Sequence, residues 1–193
     1  AIDDSKCTGC ATCARECPYN AIDMVQRDSG GKGQLAVVKG SLCTGCGVCV
    51  AACPEDAIDL RRLEMGALHG QVREAVAAAR TAGQAPLLVY ACERHAALGS
   101  VPALAGADST TLPRVQAGAW PGDGRAAITC ALPCLGSLQP AAVAEALTAG
   151  AGEVLLVACP AGDCGFREGS RWLEDRAARR PALHSNAVRL LAA

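Results

Sequence analysis

Eight of the thirteen cysteines fall into two copies of one pattern: Cys7-x2-Cys10-x2-Cys13-x3-Cys17-Pro18 and Cys43-x2-Cys46-x2-Cys49-x3-Cys53-Pro54. At this spacing a short loop wraps three thiolates around one corner of a [4Fe–4S] cube and sends a fourth elsewhere. The proline after the fourth cysteine fixes φ and stops the helical turn there. That cysteine serves the other cube in two-cluster domains. The expected sets are therefore Cys7, Cys10, Cys13 and Cys53 for one cluster, and Cys43, Cys46, Cys49 and Cys17 for the other. Zinc sites use cysteine pairs separated by a long gap, which three cysteines at successive x2 spacings do not match. The chemistry such spacing implies is single-electron transfer.

The elements around the thiols repeat with them. Cys7 and Cys43 lie 36 residues apart, and the same offset carries Thr8-Gly9 onto Thr44-Gly45 and Ala21-Ile22-Asp23 onto Ala57-Ile58-Asp59. Self-similarity at a fixed period marks a duplicated unit. Each half reads as a ligand loop, a short helical turn and a short strand (Ile22–Val25, Ile58–Leu60). Leu35–Val38 adds another strand after the turn cluster from Asp28 to Gly33. About 60 residues nearly devoid of aromatic side chains cannot build a large core, so the cubes themselves must act as core.

Beyond this point the pattern changes. Leu68, Val72, Val76 and Ala79 form a helical stripe, giving a linker helix over 63–82 that ends at Gly83. The runs Leu87–Tyr90, Ala126–Thr129 and Val154–Val157 are short, continuous and apolar. Each is followed by a glycine-containing loop and a helical stretch (Ala96–Ala105, Pro140–Ala149, Arg171–Arg180), the signature of parallel strands buried on both faces. The predicted fold is an α+β two-[4Fe–4S] ferredoxin domain at 1–62, the linker helix at 63–82, and a small α/β domain with a parallel sheet at 83–193.

The five remaining cysteines follow the strands: Cys92 after the first, Cys130 and Cys134 at the second, Cys159 and Cys164 at the third. Open parallel sheets bind ligands outside the carboxyl ends of their strands, so all five converge on one edge. Four thiolates there suggest a [2Fe–2S] cluster or another metal centre. Cys130 sits within its strand and reads as core. The arginines Arg171, Arg176, Arg179 and Arg180 could form a docking face, but they read first as a solvated helix end suited to the helix dipole; Trp172 reads as an anchor of that helix to the sheet. His69 has no assigned role.

Bulk properties exclude other classes. A net charge of −1 gives no field for nucleic acid or anionic membranes. No run approaches the ~20 apolar residues of a membrane span. Thirteen cysteines without a secretory stretch fit metal thiolates in a reducing, cytoplasmic setting, not disulfides. The chain opens on an alanine six residues before the first ligand, so it is expected to be a piece of something longer.

Residues 1–62 resemble two-cluster ferredoxins. The last ~105 residues resemble the delta subunit of methyl viologen-reducing hydrogenase. Cys134-Leu135-Gly136-Ser137-Leu138-Gln139-Pro140 looks like that family's Cys-x-Gly-x-Val-Asp-Pro turn. The run from Gly150 to Cys164 is similar to its glycine-rich strand followed by two cysteines flanking Gly-Asp, and Phe166 and Gly169 continue the likeness. His95 stands where the family's second thiolate of the first pair is expected. The resemblance implies Cys92, Cys134, Cys159 and Cys164 as ligands of a probable [2Fe–2S] cluster, with His95 as a further contact or an ordinary helix-start residue. Ala57-Ile58-Asp59-Leu60 leading into the helix with Gln71-Val72 resembles the C-terminal ferredoxin region of the heterodisulfide reductase A component.

These likenesses imply a relay in a larger redox complex. One expected partner is a flavin-containing protein like the heterodisulfide reductase A component. The other is a donor or acceptor of the hydrogenase or formate dehydrogenase type. The competing expectation is a thiol–disulfide redox domain fed by the ferredoxin, with Cys159/Cys164 or Cys130/Cys134 cycling.

Overall fold

The structure is a computed structural model that describes residues 1–27, 33–60, 64–94, 114–120, 123–160, 162–179, 183 and 186–192. The expected helix at 96–105 and His95 lie outside the described residues.

The duplication seen in the sequence is carried by the backbone. Helix α1 (Thr12–Glu16) and helix α2 (Val48–Ala52) are related by the 36-residue offset. So are the left-handed residues: Gly9 with Gly45, Ala11 with Gly47, and Asn20 with Asp56. Strands β1 (Ile22–Gln26) and β2 (Gln34–Val38) pair antiparallel, with Ile22 opposite Val38. In the second half Ile58 pairs with Ile2, the same contact shifted by one repeat. Its hydrogen bond matches too: the Lys39 amide donates to Ala21 O at 2.8 Å, and the Asp3 amide to Ala57 O at 2.8 Å. The strand expected over Ile58–Leu60 is thus reduced to isolated bridging, because its partner is the short segment around Ile2 and not a full strand.

Helix α3 (Met65–Thr81) buries Met65, Leu68, Val72 and Val76, the stripe read from the sequence. It packs against the second part of the molecule, a five-stranded sheet. The strands are β3 (Leu87–Cys92), β4 (Arg114–Ala119), β5 (Ala126–Leu132), β6 (Glu153–Ala158) and β7 (Val188–Ala192). Their order is β4-β5-β3-β6-β7. The pairs β5–β3, β3–β6 and β6–β7 are parallel, but β4 runs antiparallel to β5. The sheet is therefore mixed and mostly parallel, a correction to the all-parallel expectation. The antiparallel strand Arg-Val-Gln-Ala-Gly-Ala is an edge strand with too little apolar content to announce itself.

Alternation along the strands gives the sheet two apolar faces. Leu88, Tyr90, Ile128, Leu132, Val154 and Leu156 face a cluster that includes α3 and helix α4 (Pro140–Ala149). Leu87, Val89, Ala91, Ala127, Leu155 and Val157 form the other face, with Trp120 against it. Pro140 at the first helical position presets φ for α4, and Gly150 in the left-handed region ends it.

At the opposite end of the sheet from the thiols, Glu153 accepts from Arg125 Nη1 at 2.7 Å and from Arg189 Nη1 at 3.2 Å. These bonds, Arg125 foremost, hold its carboxyl below the ordinary value of 4.5. A lowered pKa gives stability that is present above the unfolded value and lost as pH falls through the folded one. Glu153→Gln is expected to remove about 0.5–1 kcal/mol at neutral pH. In urea unfolding the difference from wild type should be full above the ordinary carboxyl value and shrink as acid protonates the folded carboxylate; a gap that does not change with pH would contradict the assignment.

Candidate metal centres

Each short helix ends at the fourth cysteine of its motif, where the backbone turns extended: Cys17 at φ −73°, ψ 111° and Cys53 at φ −76°, ψ 117°. α1 and α2 pack on each other, so each of these cysteines faces the other loop. One cavity is lined by Cys7, Cys10, Cys13 and Cys53, closed by Ile2, Met24, Ala36 and Ile58. The other is lined by Cys17, Cys43, Cys46 and Cys49, closed by Ile22, Val38 and Leu60. Both crossing sulfurs receive equivalent backbone bonds: the Ala21 amide donates to Cys17 Sγ at 3.3 Å and the Ala57 amide to Cys53 Sγ at 3.4 Å.

These cavities fit an iron–sulfur group by their donor chemistry. Burial pushes the Cys13 and Cys46 thiols up and takes Cys49 to about 12, with neighbouring thiols adding to each rise. Four sulfurs in an apolar cavity cannot ionise together without a positive centre to draw them. A zinc ion would pull its sulfurs to ~2.3 Å from one point. Among the described residues no three Cys, His, Asp or Glu side chains converge on a single-ion site.

The third group lies at the carboxyl edge of the sheet. Cys92 ends β3, Cys134 follows β5 and precedes a 3₁₀ turn (Leu135–Ser137), and Cys159 follows β6. Cys164 lies on the loop leading to helix α5 (Gly169–Arg179). The four thiols act on one another, with Cys92 and Cys164 each felt by both Cys159 and Cys134. Cys159 meets Cys92 side chain to side chain, and burial followed by that neighbour pushes it up to about 12. Cys134, also raised by burial, has Cys164 as its first thiol neighbour and Cys92 as its second. Gly169 fits beneath Cys134 and Cys164. A Cβ there would collide with Cys134 Sγ, and the Gly169 amide donates to Cys164 Sγ at 3.3 Å. Cys130 stands apart, fully buried in β5 and raised by burial alone.

Reactive thiols need a lowered pKa. Burial shifts Cys159, Cys134 and Cys130 the opposite way.

The three groups are contiguous. Cys13 of the first set is among the thiols acting on Cys49 of the second. Cys46 of the second set shares one buried cluster with Val48, Cys134 and Phe166, bordered by Tyr19, Cys164 and Trp172. Trp172 therefore packs toward the ferredoxin half as well as its own helix, not simply onto the sheet. Close approach is possible because Gly47 lacks a side chain; a Cβ there would meet Ser137 Cβ at 2.5 Å.

Two polar side chains fasten this junction, and sequence reading assigned no role to the first of them. Gln139 Nε2 donates to Val50 O at 3.3 Å and to Asp56 Oδ1 at 2.8 Å. Arg176 is buried at 6% exposure, which corrects its assignment to a solvated face. It donates to Gly136 O at 2.6 Å, Val48 O at 3.0 Å and Glu16 Oε2 at 3.3 Å. The available signal was its place on the buried stripe Gly169, Ser170, Leu173, Arg176.

A ferredoxin-like domain joined to a mostly parallel α/β domain, with cysteines running through the joint, defines an iron–sulfur electron-transfer module. Residues 6–64 match the family model of a 4Fe-4S dicluster domain. Residues 104–186 match that of methyl-viologen-reducing hydrogenase, delta subunit. The combination is the fusion that the resemblances in the sequence implied. The first match contains all eight motif cysteines; the second contains Cys134, Cys159 and Cys164 but begins after Cys92. No curated protein and no solved structure matches the chain. Among the described residues no helix is long and apolar enough to cross a membrane.

Proposed function

We propose that this chain relays single electrons along three centres in a row. The first is held by Cys7, Cys10, Cys13 and Cys53, the second by Cys43, Cys46, Cys49 and Cys17, and the third by Cys92, Cys134, Cys159 and Cys164. Two [4Fe–4S] clusters and one [2Fe–2S] cluster, when bound, supply one-electron chemistry at potentials set by charge, hydrogen bonds and exposure. The protein's own residues space the sites, exclude water and aim backbone amides at sulfur.

The observation that carries this reading is the unbroken succession of thiols from Cys13 through Cys49 and Cys46 to Cys134. The mutual proximity of Cys92, Cys134, Cys159 and Cys164 supplies four thiolates, the number that the two irons of a two-iron centre take. Two ends of a relay call for two partners. The resemblances point to a flavin-containing protein like the heterodisulfide reductase A component on one side. On the other they point to a partner of the hydrogenase or formate dehydrogenase type. On this reading residues 1–62 and 83–193 are the two conducting halves, joined by 63–82, in a reducing cytoplasmic setting.

The test is iron analysis and EPR of anaerobically prepared protein. Two four-iron signals and a distinct two-iron signal on reduction are expected. Two four-iron signals alone would remove the third centre, and folded, colourless, iron-free protein would end the relay reading altogether.

A further inference from the structure

We propose that Arg176 is a positioning residue that clamps the second thiol set to the third and holds the reduction potentials of both up. This rests on the relay reading above. The bonds that define the role converge from both halves of the chain. Val48 stands two residues after Cys46, and its carbonyl accepts from Arg176 Nη2 at 3.0 Å. Gly136 stands two residues after Cys134, and its carbonyl accepts from Arg176 Nη1 at 2.6 Å. One guanidinium therefore ties together the backbone beside Cys46 and the backbone beside Cys134, two thiols that share one buried cluster.

Its charge acts in the same direction as its geometry. Arginine stays protonated even when buried, and Cys134 is among the groups whose charge it feels. Adding an electron to a nearby centre makes that centre more negative, so a fixed positive charge with little water around it favours the reduced form. Its acidic partner, Glu16 Oε2 at 3.3 Å, tempers the effect from the end of α1, one residue before Cys17. A rigid planar fork also suits this place better than a flexible ammonium. Three acceptors on α1, α2 and the 3₁₀ turn are met at once, so relative movement of the two sites would break at least one bond.

The test uses anaerobic holoprotein of the full chain, with EPR-monitored redox titration of every centre. Arg176→Met should lower the midpoint potentials of the second and third centres by a tenfold or larger change in the reduction equilibrium, ~59 mV for one electron. The first centre, which none of these bonds reaches, should move less. Arg176→Lys keeps the charge and should recover most of the shift. Glu16→Gln leaves the charge of Arg176 uncompensated and should move the same two potentials upward.

Full iron content with unmoved potentials in Arg176→Met overturns the proposal. Should that variant lose iron, Glu16→Gln decides: an upward shift sustains the proposal and an unchanged potential overturns it. Wild-type protein that binds no iron overturns the relay reading itself, and this inference with it.

Discussion

Stripping iron from the holoprotein under anaerobic conditions is expected to unfold residues 1–60 and leave the five-stranded sheet standing. The ferredoxin half buries mostly small or short side chains: Ala21, Ala36, Ala57, Ile22, Val48, Val50, Ile58, and the thiols Cys13 and Cys46. Its helices have five residues each, and its sheet has two strands of five. Neither is stable alone in water. Cluster binding must therefore supply folding free energy, on the order of the ~10 kcal/mol seen for structural metals. The sheet is different. All six residues of β3 are buried, among them Leu87, Leu88 and Tyr90, and Ile128, Leu132 and Leu156 pack beside them. Hydrogen exchange after iron removal should show protection lost from 1–60 and kept in β3, β5 and β6. Retained protection in 1–60 would mean the thiols are not the core.

A crossed result is expected from the fourth cysteines. Cys17→Ala should abolish the same EPR signal as Cys43→Ala, although 26 residues separate the two positions and Cys7 lies much nearer in sequence. Cys53→Ala should likewise reproduce the spectrum of Cys7→Ala. The cavities give the reason, since Cys17 lines the one formed by the second motif and Cys53 the one formed by the first. The change should remove the signal nearly completely, because a thiolate ligand has no substitute in an apolar wall. Cys17→Ala grouping with Cys7→Ala would sink the interlocked arrangement.

The sequence showed most where one residue type is tied to one geometry. Cysteine spacing, Cys-Pro and the 36-residue offset anticipate a duplicated half-domain, and continuous apolar runs anticipate β3, β5 and β6. The strand ends then bring Cys92, Cys134 and Cys159 to one edge. Sequence showed less where the partner is distant. β4 and β7 are edge strands, and an edge strand needs only one neighbour, so its apolar signal is weak. Ile58 seeks Ile2 across almost the entire domain. Arg176 has the composition of a surface residue, and only docking of the ferredoxin half makes it interior. Gln139 is alike: its amide has meaning only once Asp56 and Val50 are beside it.

The pair Ala11 and Gly47 makes the two halves unequal. Both backbones are left-handed, at φ 62° and 79°, but only the glycine leaves room for Ser137 to press against it. Alanine at the matching place would bar the same embrace. The duplicated domain thus cannot be reversed end for end against its neighbour: the Cys43 loop, and not its twin, is the one shaped to meet the turn that follows Cys134.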